Sequence, residues 1–354
     1  MTNQQSQPTQ NAVEQSREPD LAIDAENVTV TYDDGTEAVR GVSLRVENGE
    51  FFGFLGSNGA GKTTTIKSLV TLLDPTHGSV RINGYDAATD PQMVRRSIGY
   101  MPQETSIDRE LTPRENLRLA CTLYGVPAEQ RTDRIEALLD LVDLQDVADT
   151  RAETFSGGMK KRLDAATALV HRPPVVFLDE PTTGLDPEAR LRLWDYFDRI
   201  NEQGTTVFLT TQYLKEADRL CDRLSLLHDG QVVETGSPAA LKSEFGADVF
   251  EITLANPVEK QIERGVGAIR RIDALGNPTI QTTDDGIIVR SQRVRTAASE
   301  LFAALDDVGV SVRDFDVRSP TLDDVFLSLL DDSSGDGNRT ETDRASLATQ
   351  EMST

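Results

Sequence analysis

Residues 56–63, Gly-Ser-Asn-Gly-Ala-Gly-Lys-Thr, satisfy the spacing G-x-x-x-x-G-K-[ST] of a polyphosphate-binding loop. Gly56, Gly59 and Gly61 let the backbone wrap close to an anion. The N–H groups of Ser57, Asn58 and Ala60, and those that open the next helix up to Thr64, then face it. In that motif Lys62 reaches the β- and γ-phosphates and the Thr63 hydroxyl holds Mg²⁺. A second pair of reactive groups, Asp179-Glu180, ends an apolar run 117 residues after Lys62. There Asp179 supports Mg²⁺ through its water shell, and Glu180, one step on, orients and deprotonates an attacking water. The chemistry expected is hydrolysis of a bound triphosphate.

These groups need a strand to carry them and a helix to receive the phosphate. FFGFLG at 51–56 supplies the strand and KTTTIKSLVTLL the amphipathic helix, one βα unit of a parallel sheet. PVVFLDE (174–180) and TTVFLTT (205–211) read as further strands around the helical PEARLRLWDYFDRINEQ, and residues 108–172 read as mostly helical. Upstream, LAIDAENVTVTY and VSLRVENGE alternate around the DDG turn at 33–35, which predicts a β-ribbon. Near 244 the pattern changes to strand, helix, two strands around a second DDG, helix and strand, the order of a ferredoxin-like split βαβ unit. TLDDVFLSLL closes it as an amphipathic helix with a threonine N-cap and acids in its first turn. Residues 1–20 are polar, lack the basic and apolar regions of a secretory signal, and like 331–354 have no apolar period. The division expected is therefore a disordered 1–20, a nucleotide-binding unit at 21–243, a small α+β domain at 244–330 and a disordered tail at 331–354.

The chain has 354 residues, with 36 Lys+Arg against 59 Asp+Glu and a net charge of −23. Such a surface repels a phosphate backbone, which excludes nucleic-acid binding through bulk charge. Of the basic residues 7 are Lys and 29 Arg, a skew that with the acid excess fits adaptation to a very salty cytoplasm, where salt screens self-repulsion. Cys121 and Cys221 form no C-x-x-C, and His77, His171 and His228 fit no metal spacing. No run approaches the ~18 apolar residues of a membrane span. Trp194 reads as a core residue on its helix.

Six ordered motifs over about 21–240 resemble the ATP-binding-cassette (ABC) ATPases. Phe155-Ser156-Gly157-Gly158-Met159 is similar to the family's Leu-Ser-Gly-Gly-Gln signature, and Gly184-Leu185-Asp186 to its D-loop. Gln103 in GYMPQE matches the Q-loop and a further Mg²⁺ ligand, and Tyr32 the aromatic that stacks on adenine. The fold implied is α/β, a P-loop NTPase with a RecA-like core, an antiparallel β subdomain and a helical subdomain. ATP and Mg²⁺ are the implied cofactors. Ser156 and the N–H groups of Gly157 and Gly158 begin a helix, and a helix N-terminus binds anions. In the family fold this tip lies far from its own phosphate loop and meets the γ-phosphate bound by a second copy, so two ATP molecules are sandwiched head to tail in a homodimer.

Two residues depart from the family pattern. Met159 replaces a glutamine whose side chain does not donate to phosphate. Gln212 stands where a switch histidine usually contacts the γ-phosphate; its amide donates a hydrogen bond but cannot become charged, which bears on rate and pH response. With GGMKKRLDAA and SPTLDDVFLSLL, Gln212 in TTQYL resembles the daunorubicin-resistance type of ATP-binding subunit. That resemblance implies an ATPase without spans of its own, held at the cytoplasmic face of the membrane by a separate permease and exporting drug-like or hydrophobic compounds. Three alternatives are a soluble, non-transport cassette ATPase, a weakly hydrolysing regulatory cassette and an importer subunit, the last opposed by Gln212 and the C-terminal features. Only 94 residues separate Lys62 from Ser156 and no second GK[ST] loop follows, against the first. Retention of Lys62, Asp179 and Glu180 weighs against the second.

Overall fold

The computed structural model of the chain describes residues 21–333. The expected disorder at 1–20, and at 331–354 apart from Asp331–Ser333, lies outside the described residues. β1 (Leu21–Thr31) and β2 (Glu37–Glu47) form an antiparallel ribbon around the DDG turn. β3 (Phe51–Gly56) enters the glycine loop and α1 (Lys62–Leu69) leaves it. β4 (His77–Ile82) and β5 (Tyr85–Asp86) extend the ribbon into a sheet of order β2-β1-β4-β5. After α2 (Pro91–Ser97) and β6 (Ile98–Met101), the helical region contains α3 (Pro113–Leu123), α4 (Ala128–Leu141) and α5 (Gly157–Ala168). Then follow β7 (Val175–Asp179), α6 (Pro187–Glu202), β8 (Thr206–Thr211) and α7 (Leu214–Leu220). β9 (Arg223–His228), β10 (Gln231–Gly236) and α8 (Pro238–Glu244) complete this part.

The central sheet has the order β10-β9-β3-β8-β7-β6, parallel from β9 to β6 with β10 antiparallel at the edge. β3, β7 and β8 are buried along their whole lengths, as unbroken apolar runs should be when both faces are covered. The period of two sorts their residues. Phe52, Phe54, Phe177 and Phe208 pack with the ribbon and α1, and the Phe208 ring lies within 5.7 Å of each of the other three. Phe51, Leu55, Val176, Leu178, Val207 and Leu209 pack the opposite face with α3 to α7, where Trp194, Cys121 and Cys221 are buried too. With β3 central, the carboxyl ends of β3, β7 and β8 converge at one edge, where an open α/β sheet presents its ligand site.

The remaining elements are β11 (Asp248–Leu254), α9 (Glu259–Ile269), β12 (Thr279–Thr282), β13 (Gly286–Ser291), α10 (Val294–Asp307), β14 (Val312–Arg318) and α11 (Leu322–Ser333). Their sheet, β12-β13-β11-β14, is antiparallel throughout, the order a split βαβ unit produces. Phe250, Ile252, Val289, Leu301 and Leu305 form its own core. The last helix leaves that core. Leu322 and Val325 join the large core of the first part beside Leu241, and α11 packs against α7 and α8. Thr321 caps it, accepting from the Asp324 N–H while Asp324 accepts from the Thr321 N–H. The helix also overruns the expected start of the disordered tail, through Asp331–Ser333, because extending a formed helix needs no new nucleus.

Val325 is fully buried, so Val325→Asp places an unpaired carboxylate in the larger core. We expect a loss of about 3 kcal/mol or more in stability. Denaturant unfolding followed by tryptophan fluorescence checks this, since Trp194 lies in the same core; an unchanged midpoint would contradict the docking of α11.

Candidate nucleotide site

The loop between β3 and α1 has the backbone that the glycines permit. Gly61 sits at φ +106°, and a Cβ there would lie 2.5 Å from the Ala38 carbonyl oxygen. A Cβ on Gly56 would lie 2.6 Å from the Leu227 carbonyl oxygen of β9. Close approach of neighbouring backbone thus demands glycine at both ends of the loop. Lys62 is buried, and its Nζ donates to the carbonyls of Gly56 (2.8 Å) and Ser57 (3.1 Å). The same Nζ forms an ion pair with Glu180 Oε1 at 3.0 Å. The ammonium of the loop and the carboxylate at the end of the strand compensate each other, which two buried charges require.

Glu180 follows β7 with a positive φ of 46°, a sparsely populated conformation for a residue with a side chain. It persists because its N–H donates to the Thr210 carbonyl (3.0 Å) and hydroxyl (3.2 Å). Its Oε2 accepts from the Gln103 amide at 3.2 Å and the Thr183 hydroxyl at 3.3 Å. Asp179, one residue back, accepts from the Thr210 hydroxyl at 2.5 Å and the Thr63 hydroxyl at 3.4 Å through Oδ1. Its Oδ2 is buried without a hydrogen-bond partner among the described residues. Burial raises the Asp179 carboxyl above the usual range, with the Thr210 hydroxyl acting against it and the Glu180 charge adding to it. An orphaned carboxylate oxygen beside a threonine hydroxyl is an oxygen-donor set that fits Mg²⁺. Thr63 and Asp179 would hold the ion, and Gln103 can add its amide oxygen.

The other expected residues fall around this cluster. The Tyr32 hydroxyl lies 3.0 Å from that of Thr64, with the ring partly exposed at the mouth of the loop. Ser156 is the N-cap of α5 and accepts from the Met159 N–H at 3.2 Å; Gly157 and Gly158 open the helix. Asp186 caps α6 by accepting from the Ala189 N–H at 2.9 Å. The two helix tips adjoin: a Cβ on Gly158 would lie 2.9 Å from that of Ala189. Gln212, half-buried just past β8, makes no side-chain hydrogen bond among the described residues. Sequence reasoning missed Thr210, which holds Asp179 and Glu180 together; its signal is the doubled threonine before Gln212. It also missed Glu216, buried one turn after Gln212, which accepts from the Thr182 hydroxyl at 2.9 Å and the Trp194 ring N–H at 2.7 Å.

A family model described as ABC transporter matches residues 39–183, and one for the C-terminal domain of DrrA1-3-like ATP-binding proteins matches 236–330. Daunorubicin resistance ATP-binding protein DrrA3 of Streptomyces coeruleorubidus is 39% identical over 313 residues, covering 88% of this chain and 97% of its own. The chain belongs to the ABC transporter ATP-binding proteins. Daunorubicin/doxorubicin resistance ATP-binding protein DrrA of Streptomyces peucetius is 40% identical over 314 residues, covering 88% of this chain and 93% of its own. A dimeric ATP-binding cassette solved in a post-hydrolysis state with ADP and Pi aligns with a TM-score of 0.56 at 28% identity, over 61% of this chain and 98% of that one. This ABC cassette is accordingly a P-loop NTPase that hydrolyses ATP as the nucleotide-binding subunit of a transporter. Among the described residues no helix is long and apolar enough to cross a membrane.

Proposed function

We propose that this ABC subunit powers export of drug-like or hydrophobic compounds, working as a homodimer at the cytoplasmic face of the membrane through a separate permease. The observation that carries the reading is the buried contact of Lys62 with Glu180 beside Asp179 and Gln103, in a chain that spans nearly all of a drug-resistance relative. A triphosphate entering the loop competes for Lys62, and exchange of that ion pair leaves Glu180 free to take a proton from water. When bound, Mg²⁺ neutralises charge that develops on the phosphate oxygens. The chain's own residues position that water and shield it. Glu180 holds the proton, with Gln103 and Thr183 orienting its carboxylate, and Gln212 donates toward the γ-phosphate. The helix tip at Ser156–Gly158 supplies N–H groups to the triphosphate of a second copy, as the dimeric state of the solved cassette supports. A regulatory cassette would not need the base held in this contact set.

Inverted vesicles that carry the chain together with its permease partner provide the test. ATP-dependent accumulation of daunorubicin that is lost with Lys62→Ala is expected; accumulation that ignores the variant would contradict export driven by this subunit.

The net charge of −23 supports adaptation to high salt. Removing KCl from molar to millimolar levels is expected to lower the melting midpoint and the ATPase rate together, because carboxylate repulsion is no longer screened. Full activity and an unchanged midpoint in dilute buffer would remove the salt adaptation from the account.

A further inference from the structure

α5, the helix whose tip is Ser156, contains two buried charged residues that the ATPase reading leaves without a task. Lys161 and Asp164 are 7% and 1% exposed and lie three positions apart, on one helix face. Lys161 Nζ donates to the backbone carbonyl of Gln103. Asp164 accepts from the Ser106 hydroxyl at 2.6 Å and from the Ser106 N–H at 3.3 Å. Both ends of the short loop that carries Gln103 are therefore fastened to the signature helix by charged side chains. The far side of the same loop reaches the reaction centre, since the Gln103 amide donates to Glu180 Oε2 at 3.2 Å.

Burying an ammonium and a carboxylate is costly, and apolar residues of the same volume would pack the helix at least as stably. Burial pushes the Lys161 ammonium down, while Asp164, Asp179 and Glu180 act to keep it charged. Two buried charges anchored in this way point to a geometric task, because hydrogen bonds to charged groups hold a loop in one place where apolar contacts would let it slide.

We propose that Lys161 and Asp164 are positioning residues that lock the Gln103–Ser106 loop to the signature helix, so that a displacement of the Ser156 tip is carried to Gln103 and from it to Glu180. The tip serves one ATP and Glu180 the other, so the lock makes hydrolysis at one site depend on occupancy of its twin; this last step rests on the two-copy reading above.

Full-length Lys161→Met keeps the stem and removes the ammonium, Lys161→Arg restores a donor, and Ser106→Ala removes the hydroxyl from Asp164 on an exposed loop without touching α5. Hydrolysis is measured against ATP concentration, and each variant is also combined with Glu180→Gln to follow association in MgATP by light scattering. For Lys161→Met we expect kcat to fall about tenfold to a hundredfold with half-saturating ATP within about twofold of the parent. The parent is expected to depend sigmoidally on ATP and Lys161→Met hyperbolically, while Lys161→Arg recovers part of kcat and association persists. Ser106→Ala shows the same pattern at a loss of about threefold to tenfold. A merely structural role would lower the melting midpoint and the active fraction but leave the shape of the ATP dependence intact. Parental kcat and cooperativity in both Lys161→Met and Ser106→Ala overturn the proposal, and Ser106→Ala decides it if Lys161→Met does not fold. If Glu180→Gln alone stays single in MgATP, the two-copy reading fails, and the kcat comparison still decides the lock.

Discussion

Glu180→Gln is expected to lower steady-state ATP hydrolysis by about a thousandfold while MgATP binding is retained, because the change removes the base, and bound triphosphate supplies Lys62 with the negative charge that the carboxylate no longer gives. The amide has the shape of the carboxyl and keeps one oxygen: turned toward Lys62 it still accepts from the ammonium, and the amide N–H groups then face the Thr183 hydroxyl and the Gln103 side chain, each of which carries an oxygen that can accept. The backbone that places it, at φ +46° and bonded to Thr210, is untouched. Single-turnover and steady-state phosphate release check this. A variant that hydrolyses ATP at the parental rate would mean that the water is activated elsewhere.

Lys62→Ala should act on binding and on the nucleotide-free fold together. The ammonium donates into the phosphate loop and also compensates a buried carboxylate. Its loss leaves Glu180 uncompensated, at a cost of about 3 kcal/mol in stability without nucleotide. It also removes a charge-assisted bond to phosphate, which is expected to weaken ATP about a hundredfold. Lys62→Met keeps the volume and separates the charge from the cavity. Titration with a fluorescent ATP analogue, paired with thermal unfolding, reads both effects. Parental affinity in Lys62→Ala would contradict the placement of Lys62 at the phosphates.

Much of this was legible in the residues because it is local. The glycine spacing at 56–61, the apolar runs of β3, β7 and β8, and the threonine that opens α11 each declare themselves within a few positions. What was not legible depends on residues far apart in sequence. Lys161 and Asp164 look like the solvated face of an amphipathic helix until the loop at Gln103, 58 residues earlier, is seen to cover them. The apolar stripe of α11 says that the helix must bury a face, and the periodicity is silent on which of two cores receives it; Leu241 and its neighbours do. The ion pair of Lys62 with Glu180 likewise joins two motifs whose separate roles were plain but whose mutual contact no spacing encodes.

The proposed closure of two copies over ATP is tested most directly by the association state of Glu180→Gln in saturating MgATP, at salt that keeps it folded. Sedimentation should show the mass of one chain without nucleotide and twice that mass with it, and an added Ser156→Arg, which blocks the helix tip, should return it to one chain. A Glu180→Gln protein that binds ATP and remains a single chain would contradict the shared site.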